Sequence, residues 1–108
     1  MEFLELRPEK RPFCLSVSFK APHAQDGDSR QFIFDQADQA LFADAHIAPP
    51  PGFDPSAFQR FPEFFRRNNE GRARWELRFS TPERFQQMVK GYYRLIAGVD
   101  RAIGRILN

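Results

Sequence analysis

His23 closes the run Arg11-Pro12-Phe13-Cys14-Leu15-Ser16-Val17-Ser18-Phe19-Lys20-Ala21-Pro22-His23. An imidazole at the end of an extended segment can bind an anion or pass a proton near neutral pH. Lys20, three residues earlier, can add a positive charge beside it, and is equally at home in solvent. A histidine in a loop needs no ligand, so both readings of His23 stand at this point. Cys14 lies between Phe13 and Leu15. A nucleophilic thiolate needs an exposed, electropositive setting, and the position reads instead as a small buried residue. His46 follows Asp44 by two, with Asp26, Asp28, Asp35 and Asp38 upstream. None has the spacing of an EF-hand or zinc motif, so no metal ligand is assigned. Arg60, Arg66, Arg67, Arg72, Arg74 and Arg78 are interleaved with Phe64, Phe65, Trp75 and Phe79. Such a pattern can bind single-stranded nucleic acid. No RNA- or DNA-binding signature accompanies it, and the expectation is solvated arginines over buried aromatics.

The element that must position His23 is a strand over about 12–19. Phe13, Leu15, Val17 and Phe19 alternate with Cys14, Ser16 and Ser18, the period of two that marks a strand. The second face is small and nearly apolar, which suits a strand covered on both sides, as in a parallel sheet flanked by helices. Ala21-Pro22 stops the ladder, because proline lacks an N–H and restricts its neighbour. Ligands in open parallel sheets sit beyond the carboxyl ends of strands, and His23 lies there.

The remaining elements read mostly as turns and helices. Glu2 to Leu6 is a helical turn ended by Arg7-Pro8, and Ala24 to Gln31 is a surface loop around Gly27. Gln31 to Phe34 is a short strand or part of a turn, and Asp35 to Phe42 forms one or two helical turns. Pro49-Pro50-Pro51-Gly52 is polyproline-like and ends in a turn. An irregular passage of this length is generally functional or belongs to something larger. Short helices are predicted across about 55–78. Asp54-Pro55 starts the first, Phe58, Phe61 and Phe65 follow at steps of three and four, and Asn68 to Gly71 ends it. Trp75 and Phe79 then share one face. Thr81-Pro82-Glu83 opens a long helix over about 82–107, whose stripe runs through Phe85, Met88, Val89, Tyr92, Ile96, Val99, Ile103 and Ile106. Gly91, Gly98 and Gly104 fit places where another element packs closely, and Asp100 can cap or pair internally. Leu107-Asn108 carries no stop signal, and the chain is expected to continue past it.

A chain of 108 residues has room for one domain with a modest core. Thirteen Phe argue against disorder, and a net charge of +2 calls for neither nucleic acid nor an anionic membrane. One cysteine excludes an internal disulfide and a cysteine-based metal site. No apolar run reaches the ~18 residues of a membrane span, and Met1 to Glu5 lacks the plan of a signal peptide. Localisation is left open.

Two stretches together resemble one family. Arg11 to His23 is similar to the P-F-strand-x-x-P-H segment of the sulfatases, arylsulfatase-like enzymes with the alkaline-phosphatase-like fold. Lys90 to Leu107, with Tyr92-Tyr93, Val99-Asp100, Ile103-Gly104 and Ile106-Leu107, resembles their Y-Y-x-x-I-x-x-V-D-x-x-I-G-x-I-L helix. Ile47 to Asp54 resembles the substrate-side loop of bacterial members. The resemblance implies that 1–108 is a single incomplete fragment of a catalytic domain, an α/β chain forming part of an α/β/α sandwich. It implies a sulfuric ester hydrolase in which His23 contacts the sulfate and gives a proton to the leaving group, with Lys20 as a weaker contact. The complete family domain uses calcium and a formylglycine made from cysteine or serine. The nucleophile motif C/S-x-P/A-x-R is absent here, since Cys14-Leu15-Ser16-Val17-Ser18 does not match it. The metal-binding aspartates are absent too, so the isolated chain is expected to bind no calcium and to be inactive. The expected partner is a sulfate ester, and exposed apolar surfaces can self-associate. The competing class is a small basic non-enzymatic module that binds a partner through its Phe-rich surface.

Overall fold

The computed structural model describes residues 2–8 and 10–108. Helices are α1 (Glu2–Leu6), α2 (Glu63–Arg66), α3 (Glu70–Phe79) and α4 (Pro82–Leu107). Two 3-10 turns, Gln36–Asp38 and Pro55–Arg60, complete the regular structure, and no strand forms among the described residues.

α4 starts where local chemistry dictates. Thr81 Oγ1 accepts from the Arg84 N–H at 3.2 Å, and Pro82 fills a first-turn position whose N–H would be an orphan. The Glu83 carboxylate is held below its usual range by its own backbone N–H and the Thr81 hydroxyl. α3 begins on Asn69, whose Oδ1 accepts from the Arg72 N–H at 2.8 Å. Asn69 therefore opens a helix instead of ending the one before it, and α3 starts at Glu70, inside the stretch Asn68 to Gly71 expected to close its predecessor. Arg74–Glu70 and Arg72–Glu76 ion pairs at four-residue spacing reinforce it.

α3 packs on α4, and Phe53 fills the angle between them. Its ring lies 5.7 Å from Trp75 and 5.3 Å from Phe85, and Phe79 lies 6.1 Å from Phe85. Phe85 and Met88 are 6% and 2% exposed and, with Ala24, are the fully buried apolar residues described. Gly91 lies beneath Phe32, so close that a Cβ there would meet the Phe32 Cβ at 3.0 Å. Gly104 faces open space, so the expectation of close packing at all three helical glycines does not extend to it.

The long passage between His23 and Asp54 is irregular but tied down. It runs antiparallel to α4 and is gripped by that helix's polar side chains. Gln86 exchanges two hydrogen bonds with the Ile47 backbone, at 3.0 and 2.7 Å. Lys90 Nζ donates to the Ala43 carbonyl at 2.8 Å and Arg94 Nε to the Leu41 carbonyl at 2.9 Å. Arg101 forms a two-bond fork with Asp38, at 2.6 and 2.8 Å.

The expected α/β sandwich with a core strand over 12–19 is corrected. The chain is helical, and residues 12–20 are extended but unpaired. A ladder needs a second strand, and none forms among the described residues: Gln31 to Phe34 bends at Phe32, over Gly91 of α4. Phe13, Leu15, Val17 and Phe19 are consequently 39–50% exposed, and Cys14 is exposed instead of buried. Phe13 is partly covered by Phe3, edge-on at 6.0 Å, and by the Arg7 guanidinium 4.9 Å from its ring centroid, while Phe19 lines a cavity against Leu95 and Val99 of α4.

Candidate functional site

His23 leaves the extended segment through a turn closed by its N–H and the Lys20 carbonyl at 3.0 Å. Its ring Nδ1 lies 2.6 Å from the Ala24 carbonyl. A carbonyl only accepts, so Nδ1 carries the hydrogen and Nε2 is left without a protein partner. An added proton then sits on Nε2, which becomes the group that can donate.

The ring lines a cavity of about 410 Å³ together with Arg74 and Arg78 of α3 and Phe79, Met88, Val89 and Tyr92 around the α3–α4 junction. Arginines 74 and 78 reach the same cavity because they stand four residues apart, on one helix face. The sequence reading treats all the arginines of this interval as solvated. Arg78 is only 17% exposed in its side chain, and Arg72, at 21%, lies over Trp75 with 4.4 Å to the ring centroid. The i,i+4 spacing of Arg74 and Arg78 was the available signal. It is a weak one, because it marks a shared face without saying what that face meets.

Arg78 is aimed by Gln31. Its Nε donates to Gln31 Oε1 at 2.8 Å, and the Gln31 amide nitrogen donates to the Asp28 carbonyl at 2.6 Å. Gln31 is 2% exposed and sits in the left-handed region, φ 57°, closing the 25–31 loop through a 2.6 Å bond from the Gln25 N–H to its own carbonyl. Asp28 braces that loop. Its carboxylate accepts from both the side chain and the backbone N–H of Arg30, which pull its pKa to about 2. Gln31 is therefore a positioning residue, and no composition or periodicity argument points to it.

Charges at the mouth of the cavity are balanced. Arg74 pairs with Glu70 at 2.6 Å, while Asp26 stands 3.6 Å from Arg78 and 3.9 Å from Arg74. The two Asp26 contacts exceed hydrogen-bond length. A better-fitting anion can displace them. The Arg78 nitrogens not bonded to Gln31, the Nε2 of His23 and an apolar wall are groups chemically suited to an anion carrying an apolar group.

The other candidates lie apart. Lys20 bonds Gln25 through its ammonium and is not among the residues lining the cavity. Asp44, His46 and Asp100 are exposed, and Asp38 is committed to Arg101. Among the described residues no group of three or more His, Cys, Asp or Glu is placed to hold a metal ion. The residues present therefore do not fit calcium, and the exposed Cys14 lies outside any formylglycine motif. Comparison of the chain with family models, with curated proteins and with solved structures finds no match.

Proposed function

We propose that the chain supplies the leaving-group histidine and part of the anion pocket of a sulfuric ester hydrolase. The observation that carries this reading is the meeting of His23, Arg74 and Arg78 on one cavity with an apolar wall. The similarity of Arg11 to His23 and of Lys90 to Leu107 to sulfatase segments supports it. In this reading the sulfate oxygens lie against the two guanidinium groups, where charge-assisted hydrogen bonds hold them. The apolar part of the ester rests on Phe79, Met88 and Val89. When the bond between sulfur and the leaving oxygen breaks, the electron pair stays on that oxygen, and the Nε2 proton of the imidazolium neutralises it. Among the described residues no group is placed to attack sulfur, so in this reading the chain alone binds without turning over.

The test is a titration of the purified chain with an aryl sulfate, followed by amide and imidazole NMR signals. Binding shifts the His23 and Arg78 signals, and Arg78→Ala weakens it about tenfold, the effect of one lost charge-assisted hydrogen bond. Equal binding by the two proteins overturns the pocket. Calcium-dependent release of the phenol by the chain alone overturns its inactivity.

A second reading, a non-enzymatic module with a Phe-rich docking face, is favoured by one observation. Phe58, Phe61, Phe65 and Phe64 form a continuous chain of rings with neighbouring centroids 5.7–6.0 Å apart, and Phe64 is 76% exposed. Exposed aromatics beside arginine are common anchors of protein interfaces. An aryl sulfate that leaves every signal near the cavity unmoved selects this reading.

A further inference from the structure

Residues 13–19 present a combination found nowhere else among the described residues. Their backbone is extended, and no N–H or C=O of Phe13 to Phe19 bonds any described protein group. The seven side chains carry no charge, and the apolar ones are 39–50% exposed. Glycine and proline are absent from the run, which is the signature of a segment that pairs as a β-strand when it meets another.

The run is also self-complementary. Placed antiparallel to a second copy about Ser16, Phe13 faces Phe19 and Leu15 faces Val17, so every apolar side chain meets another on one face. Cys14 faces Ser18 on the other face, and Ser16 faces itself. Sliding the pair by two residues sets Phe19 against Arg11 in one direction and Phe13 against Ala21 in the other. A parallel, in-register pair would set Lys10, Arg11 and Lys20 directly against their own copies, and like charges opposite one another are destabilising.

We infer that Phe13 to Phe19 is a homotypic pairing segment that joins two copies of this chain as an antiparallel two-stranded ribbon with its twofold axis at Ser16. Seven residues per copy make an interface smaller than the ~1,200 Å² of standard complexes, so the dimer is reversible and depends on concentration. Arg11 of one copy falls opposite Ala21 of the other, one residue from that copy's Lys20, so like charges gather at each end and added salt strengthens the association.

The experiment combines sedimentation with register-specific variants of the full chain. Wild type shifts from monomer to dimer with rising concentration, at lower concentration in high salt. Leu15→Lys and Val17→Glu each weaken dimerisation at least tenfold. The double variant restores it, because the introduced lysine of one copy faces the introduced glutamate of the other, twice. Cys14→Ser combined with Ser16→Cys forms a covalent dimer under mild oxidation, since directly opposed residues lie within disulfide reach. Wild-type Cys14 does not, because its copies stand four residues out of register. A monomer at every concentration overturns the proposal. So does a dimer that the single variants leave intact, one that the double variant fails to restore, or one cross-linked through Cys14.

Discussion

At the scale of single residues, the sharpest feature is a buried carboxylate with one strong partner. The Asp38 side chain is 2% exposed and receives both arms of Arg101. That hydrogen bonding holds its pKa below the ordinary 3.8, against the opposing effect of burial. A depressed carboxylate pKa means the folded protein binds the proton less readily than the unfolded chain. Its contribution is thus complete above about pH 4 and is lost as pH falls below that through the folded value. Acid titration followed by NMR should release the 36–47 loop from α4 over this acid range. Arg101→Met should remove the transition by leaving the loop loose already at neutral pH. A loop signal indifferent to both would contradict the linkage. Gln31 poses the same kind of question at the cavity. Gln31→Ala should weaken aryl sulfate binding while Gln31→Glu, which keeps an acceptor for Arg78, retains more of it; equal losses would show that the residue serves the loop and not the arginine.

At the scale of elements, α4 sets the rest in place. Its start is marked in the sequence by Thr81-Pro82-Glu83, and the apolar stripe marks its full span, so Pro82–Leu107 was legible residue for residue. The short helices near 55–78 were legible as helix, with the boundary at Asn69 misread, because an Asn can stop one helix or cap the next. The segment 12–19 was legible as extended backbone and illegible as to its surroundings. Alternation reports which conformation lets a run bury one face, but not whether a neighbour is there to bury it. Thr81→Ala should cost about 1 kcal/mol in thermal or urea unfolding followed by helicity at 222 nm. Met88→Ala, at the 2% exposed centre of the α3–α4 contact, should cost about 2–5 kcal/mol. Gly91→Ala should cost about 1–3 kcal/mol, because Phe32 must move aside. If Gly91→Ala stabilised the chain, the close approach of Phe32 would carry no weight.

At the scale of the molecule, the chain is drawn out. Its radius of gyration is 19.3 Å and its axes measure 62, 35 and 27 Å. A compact domain of this length would have a radius of about 13 Å. The buried apolar set of Ala24, Phe85 and Met88 is small for a chain with thirteen Phe. Composition predicts a chain made for burial, and most of that burial is not achieved within the described residues. The candidate site follows the same division. His23 could be singled out from its place after the extended run, whereas Arg74, Arg78 and Gln31 join it only through the crossing of α3, α4 and the 25–31 loop. Those partners come from different parts of the chain, and no local pattern encodes their meeting.

The grip of α4 on the irregular passage has one more implication. Gln86, Lys90, Arg94 and Arg101 fall within about 80° of arc on the helix, at 3.6 residues per turn, and their partners Ile47, Ala43, Leu41 and Asp38 follow in reverse chain order. The helix thus works as a ruler against which the loop is measured out. One residue inserted between Gln86 and Lys90 swings every later mark by about 100° and takes three of the four holds away together. One residue inserted in the loop between Ala43 and Ile47 can bulge outward and leave all four in reach. Tolerance to changes in length should therefore be lopsided: generous in the part with no regular structure, and almost nil in the helix.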